Sequence, residues 1–326
     1  MVDFRLRDCG DGRQPIRLIL KERGVTILAK STYQFDRWNA QSTKTWAYSV
    51  FLQYDMELAR IGAAHYTASK FVYSAIGKSG ATWCNMPEGK FGFSDDEVDR
   101  YNTIREWSDL YNEFDNWTNL NSLLTLASNF ETYLAAVVRL ALSSNPGVLL
   151  GLPKSIDGVI MLKNGIKEPV SSIEIVEACT RGNWSSRLSA FSQSFGELSN
   201  FLDAHSDLEF IRNVRNEASH AFGRDIEQAR KHGQVKKIQI RKLNHKRLRK
   251  LQRNIKSIVR EIDVFLLKNH IGEFEVIDFY NKLPLEHRQY DVPRRAFLLK
   301  KAVGRYGAVP RGKKFCTELI EYWDSL

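Results

Sequence analysis

Apolar residues recur along most of the chain at three- and four-residue spacing, and no stretch alternates apolar with polar positions between hairpin turn signals. The pattern therefore predicts helices and no sheet. The clearest stripe runs from Leu120 to Leu142. With about 100° of rotation per residue, Leu120, Leu123, Leu124, Ala127, Phe130, Leu134, Val138 and Ala141 fall on one face. Asn145-Pro146-Gly147 ends this helix, and a loop-rich insertion with Pro153, Gly158, Gly165 and Pro169 leads to a short helix near Ser172 to Cys179. Another helix is expected over Ser186 to Ala204. The next starts at a capping box, Ser206-Asp207-Leu208-Glu209, and runs through Leu208, Ile211, Val214, Ala218 and Phe222 to a stop at Gly223. A long one carries Ile240, Leu243, Leu248, Leu251, Ile255, Ile258, Ile262 and Phe265.

Upstream, aromatic-rich helical stretches around Lys44 to Ile76 end in a Gly/Pro loop, KSGATWCNMPEGKFGF, which is a candidate boundary. Ser94-Asp95-Asp96-Glu97 then has capping-box form, and Val98, Tyr101, Ile104, Trp107 and Tyr111 continue as an apolar face. The C-terminal KKFCTELIEYWDSL adds a short helix. The whole reads as an all-α chain in three parts: a helical N-terminal region over residues 1–92, a four-helix bundle with the loop-rich insertion over 93–275, and a C-terminal helical extension over 276–326.

Charge narrows the choice of partners. Lys plus Arg number 48 against 38 Asp plus Glu, a net charge of +10, so the surface attracts polyanions, nucleic acid first among them. Residues 230–260 hold thirteen Lys or Arg and no Asp or Glu. If the apolar face of that segment packs on the bundle, Lys236, Lys237, Arg241, Lys242, Lys246, Arg247, Arg249, Lys250 and Arg253 populate the rest. Without a compensating acid they read as a surface that tracks nucleic-acid phosphates. No apolar run approaches eighteen residues and the N-terminus lacks a signal-peptide core, so the expected compartment is the cytosol, with no membrane partner. Cys9, Cys84, Cys179 and Cys316 are far apart, without CxxC or zinc-ligand spacing, and read as free thiols; no metal and no cofactor is expected.

Candidate chemistry lies in EFIRNVRNEASHAFGR, where Arg215-Asn216-Glu217-Ala218-Ser219-His220 sets a polar residue beside an arginine and a histidine five positions after it. This pattern, late in a capped helix and downstream of the long helix NFETYLAAVVRLAL, resembles the HEPN ribonucleases over roughly half of the chain. A second occurrence, Arg60-Ile61-Gly62-Ala63-Ala64-His65, has isoleucine at the polar position and small apolar neighbours. It reads as structural, with a second HEPN unit as the lesser alternative.

The resemblance implies a HEPN-like bundle that cuts RNA without a metal. Arg215, with Asn216 beside it, would bind the scissile phosphate, and His220 would shuttle a proton, leaving a 2′,3′-cyclic phosphate and a 5′-hydroxyl. A position in the last helical turn favours the charged form of a histidine. Residues five apart on a helix point about 140° apart with a rise of about 7.5 Å. Either the last turn before Gly223 loosens into 3₁₀ or frayed geometry, or two copies of the motif meet across an interface. The composite sites of the family imply the latter, in a homodimer. Glu131 falls in the middle of the apolar stripe, where a carboxylate needs a partner: Arg215, whose guanidinium it would hold, or Arg139, Arg187 or Arg212. The family also implies a toxin or abortive-infection effector against phage. Such an enzyme needs control by an antitoxin, an inhibitory or guide RNA, or a phage-derived activator. The alternative in another class is a catalytically silent helical module that holds RNA or a protein; duplex DNA binding would lack any helix-turn-helix.

Overall fold

The structure, a computed structural model, describes residues 35–87, 101–167, 169–221, 224–233, 235–236, 238–306 and 311–326, without the side chains of His220, Ala221, Ile226 and Ala229. As the apolar spacing predicts, the described residues form helices and irregular segments and no strand. Among the described residues the α-helices are α1 (Trp46–Lys78), α2 (Ile104–Ser144), α3 (Gly158–Lys163), α4 (Val170–Thr180), α5 (Trp184–Phe195), α6 (Ser199–Asp203), α7 (His205–Ala221), α8 (Ile226–Arg230), α9 (His245–Leu266), α10 (Phe274–Asn281), α11 (Val292–Arg305) and α12 (Lys313–Ser325). Among the described residues no helix is long and apolar enough to cross a membrane. Phe35–Leu326 forms one compact unit, in which α1 and α10 to α12 share the core of the central helices.

Helix α2 is the axis of that unit, with α1, α4, α7 and α9 packed around it. Its 41 residues span about 60 Å at 1.5 Å each. The predicted stripe is the buried one: Leu120, Leu123, Ala127, Phe130, Leu134, Val138 and Ala141 are all buried, and Leu124 partly so. The two helices expected on either side of residue 115 are one, because no Pro or Gly interrupts Asn112 to Asn119. The capping box at Ser94 lies outside the described residues. Helix α2 itself starts at Ile104, where the Thr103 side chain accepts from Glu106 N at 3.2 Å and the Glu106 carboxylate accepts from Asn102 N at 2.8 Å.

Other predicted boundaries shift for identifiable reasons. The helix expected over Ser186 to Ala204 breaks at Gly196, whose φ of +106° suits a residue without Cβ, and resumes as α6. Ser206 lies inside α7, and Glu209 turns away from the helix end to other partners described below. Ile240 and Leu243 precede their helix. Asn116 of α2 donates to Arg241 O at 3.0 Å and accepts from Leu243 N at 2.7 Å, which holds this stretch extended until Asn244 caps α9 through Arg247 N. The insertion after α2 is tied into the core. Gly158 lies so close to Ser143 O that a Cβ would stand 1.8 Å from it. Buried Arg37 joins Asp157 to Ser144 at the end of α2 and to Ile271 O.

Candidate functional site

The polar residue in the α2 stripe is held by two arginines. Oε1 of Glu131 accepts from Arg187 Nη1 of α5 at 2.9 Å, and its Oε2 lies 3.4 Å from Arg215 Nη2 of α7. Of the partners left open by the sequence, Arg187 and Arg215 thus take Glu131 together, while Arg212 goes to Glu209.

The two arginines are unequal. Arg187 is buried, donates through Nε to Gly182 O at 3.1 Å and lies 4.6 Å over the Trp184 ring. Arg215 has a side chain 37% exposed. Glu131 approaches it through a single oxygen, which leaves most of its five N–H donors for another anion. Trp184 stiffens the arrangement. Its ring stacks on Phe130 at 5.4 Å, and its backbone N–H donates to Glu209 Oε2 at 3.2 Å, so α5 and α7 are fixed to the same point of α2. In the sequence Arg187 stands out only as one possible partner of Glu131, and Trp184 only by following a helix-capping Asn183.

Asn216 is half-buried beside Arg215. Helix α7 stays α-helical through Ala221, so the loosened 3₁₀ turn weighed for the stretch before Gly223 does not occur ahead of His220. The side chain of His220 lies outside the described residues.

The basic stretch is less unpaired than its composition suggests. Arg241 bonds Glu217 of α7, Arg247 lies 2.9 Å from Asp207 of α7, and Lys256 lies 3.1 Å from Asp55 of α1. The absence of acids within residues 230–260 is offset by acids from other helices. Lys237 lies outside the described residues, Lys236 and Lys242 are exposed on the irregular segment, and Arg249 is engaged with His245. Of the cations that the sequence singles out on α9, Lys246, Lys250 and Arg253 form an exposed ridge at i, i+4 and i+7. In the second arginine–histidine stretch, His65 Nε2 lies 2.9 Å from Asp115 Oδ1 of α2. Of the four cysteines, Cys84, Cys179 and Cys316 are free thiols, and Cys9 lies outside the described residues. Comparison of this chain with family models, with curated proteins and with solved structures finds no match.

Proposed function

We propose that the chain is a HEPN-type endoribonuclease that needs no metal, with Arg215, Asn216 and His220 as its reacting group. The observation that carries this reading is the Glu131 bridge: a carboxylate in an apolar stripe, otherwise costly, fixes one buried and one exposed arginine, and the exposed one belongs to the motif. A fixed, partly exposed guanidinium binds a phosphodiester bidentately at little cost in side-chain entropy. The 2′-hydroxyl oxygen of the substrate forms the new bond to phosphorus as it gives up its proton. The P–O5′ bond breaks and the leaving oxygen takes a proton, so the products are a 2′,3′-cyclic phosphate and a 5′-hydroxyl, with histidine as the proton carrier.

The unbroken helix α7 favours a composite site, because residues five apart on a regular helix do not share a face, whereas two copies of the motif can meet at one phosphate. The reading includes a homodimer, RNA as substrate, and a cellular role as toxin or abortive-infection effector under an antitoxin, an RNA or a phage-derived activator.

The test is a cleavage assay on mixed tRNA and mRNA in EDTA, with chemical mapping of the 3′ ends. Wild type should produce cyclic phosphate ends, and Arg215→Ala and His220→Ala should each lower the rate at least a hundredfold. Equal cutting by all three proteins would assign the activity elsewhere, and RNA binding without cutting by any of them would favour the silent binding module.

A further inference from the structure

Helices α1 and α2 run antiparallel: Tyr48 and Phe51 meet Tyr133 near one end, and Tyr73 meets Ser108 and Trp107 near the other. Where the start of α9 reaches this pair, an open cavity of about 320 Å³ is lined by side chains from all three helices. That volume is at the small end of ligand pockets, which run from roughly 300 to 1,000 Å³.

The walls of the cavity are aromatic. On one side the Tyr66 ring lies near-parallel to His245, with centroids 6.1 Å apart, and Tyr66 itself is 53% exposed. On the other, His65 lies near-parallel to Tyr111 at 6.3 Å. Both histidines are fixed. His65 Nε2 is set by Asp115, whose second oxygen accepts from Asn119 at 3.3 Å. His245 Nε2 accepts from Arg249 Nε at 2.9 Å, which puts the His245 proton on Nδ1. Burial, and then the charge of Arg249, lower the pKa of His245, so it is a neutral donor at neutral pH. Two cations complete the lining: Arg249, with no carboxylate within ion-pair distance among the described residues, and Lys70, 5.4 Å over the Tyr66 ring. One carboxylate, Asp115, opposes them.

A planar aromatic wall, a second ring facing it, two cations and a fixed imidazole donor suit a ligand with a flat base and a single anionic group. We propose that this cavity between α1, α2 and α9 binds a nucleotide, with the base against Tyr66 and the phosphate on Arg249 and Lys70, as a site separate from the Glu131–Arg215 cluster. The separation is built into the helices: Arg215 approaches α2 at Glu131 on its α5 and α7 side, whereas the cavity meets α2 between Tyr111 and Ser122 on its α1 side. A free nucleotide and one unit of an RNA chain present the same chemistry to the cavity, and titration distinguishes them.

The experiment is calorimetric titration of the full chain with adenosine 5′-monophosphate, adenosine, inorganic phosphate and a five-nucleotide single-stranded RNA. The nucleotide should bind at least tenfold more tightly than adenosine or phosphate alone. Loss of base stacking in Tyr66→Ala should weaken it about 5- to 150-fold, the range of about 1–3 kcal/mol per stacked base. Arg249→Gln should weaken it at least fivefold and His65→Gln measurably, with thermal midpoints unchanged in all three variants. If only the RNA binds, and Tyr66→Ala weakens it, the cavity serves a unit of the chain. Nucleotide and RNA affinities that Tyr66→Ala and His65→Gln leave unaltered would overturn the proposal. That result would not touch the ribonuclease reading, which stands or falls with Arg215 and His220.

Discussion

At the scale of single residues, Glu131 does two jobs that can be separated. Toward Arg187 it neutralises a buried guanidinium, whose desolvation is not recovered unless the carboxylate stays. Toward Arg215 it positions an exposed one. Glu131→Ala should therefore destabilise the fold by about 3 kcal/mol, the usual cost of leaving one member of a buried ion pair alone. Arg215→Ala should change stability by less than about 1 kcal/mol, because its pair is partly exposed. Chemical denaturation of the two variants measures this directly. An equal loss in both would mean that Arg215 is as structural as Arg187. The sequence reveals Glu131 as an anomaly in an apolar stripe and names Arg187 and Arg215 among its possible partners. It does not reveal that both share it, because that depends on how α5 and α7 converge on α2 in space. The unpaired look of Arg241 and Arg247 has the same origin: Glu217 and Asp207 lie on α7, far enough along the chain to be invisible in a local charge count.

Elements are held at their ends, and the start of α1 shows how. Thr45 accepts from Tyr48 N while its own N–H and hydroxyl donate to Asp263, at 3.0 and 2.5 Å, and Trp46 N lies 3.1 Å from both Glu275 oxygens. Nearby, Glu273 accepts from Gln41 N and from Arg311. Two carboxylates thus converge on one helix N-terminus, where the dipole favours negative charge, and a third, Glu273, lies nearby. Burial outweighs that favour: it raises the pKa of Asp263 and Glu273, and pushes Glu275 from 4.5 up to about 8. The folded state therefore holds protons that the unfolded state releases above pH 4.5, so stability is fully present below that pH and falls as pH rises toward about 8. Thermal melts from pH 6.5 to 8, above the range in which buried His270, lowered to about 4, acts in the opposite sense, should show this decline. Glu275→Gln, which keeps an acceptor for Trp46 N, should flatten the slope and melt above wild type at pH 8. A variant with an unchanged slope would remove Glu275 as the cause. This cluster was not legible in the sequence. Periodicity predicts the long helices because one apolar face decides them, but helix ends are decided by side chains such as Asn116, Asp263 and Glu275 that arrive from elsewhere in the fold.

Across the whole molecule, the excess of ten positive charges is not spread evenly over the cations that the sequence singles out. Arg241 and Arg247 are tied to α7, and could reach a phosphate only by giving up a carboxylate that already holds them. Lys246, Lys250 and Arg253 form the exposed ridge of α9. The proposed ribonuclease would then grip single-stranded RNA through that ridge, and each phosphate neutralised should contribute about −0.7 to the slope of log affinity against log salt. Single Lys246→Gln, Lys250→Gln and Arg253→Gln substitutions should each reduce the slope by about 0.7, and the triple variant by about 2, if the contributions add. Arg241→Gln and Arg247→Gln should leave it nearly unaltered. Binding of an RNA with 2′-methoxy groups, which cannot be cut by 2′-oxygen attack, measures the slope free of turnover. Equal effects from the paired and the ridge cations would mean that RNA opens the Glu217 and Asp207 pairs as it binds, so that α7, the helix carrying Arg215, would itself respond to the substrate. A slope changed by the ridge alone would make α9 a fixed rail beside a site held ready by Glu131.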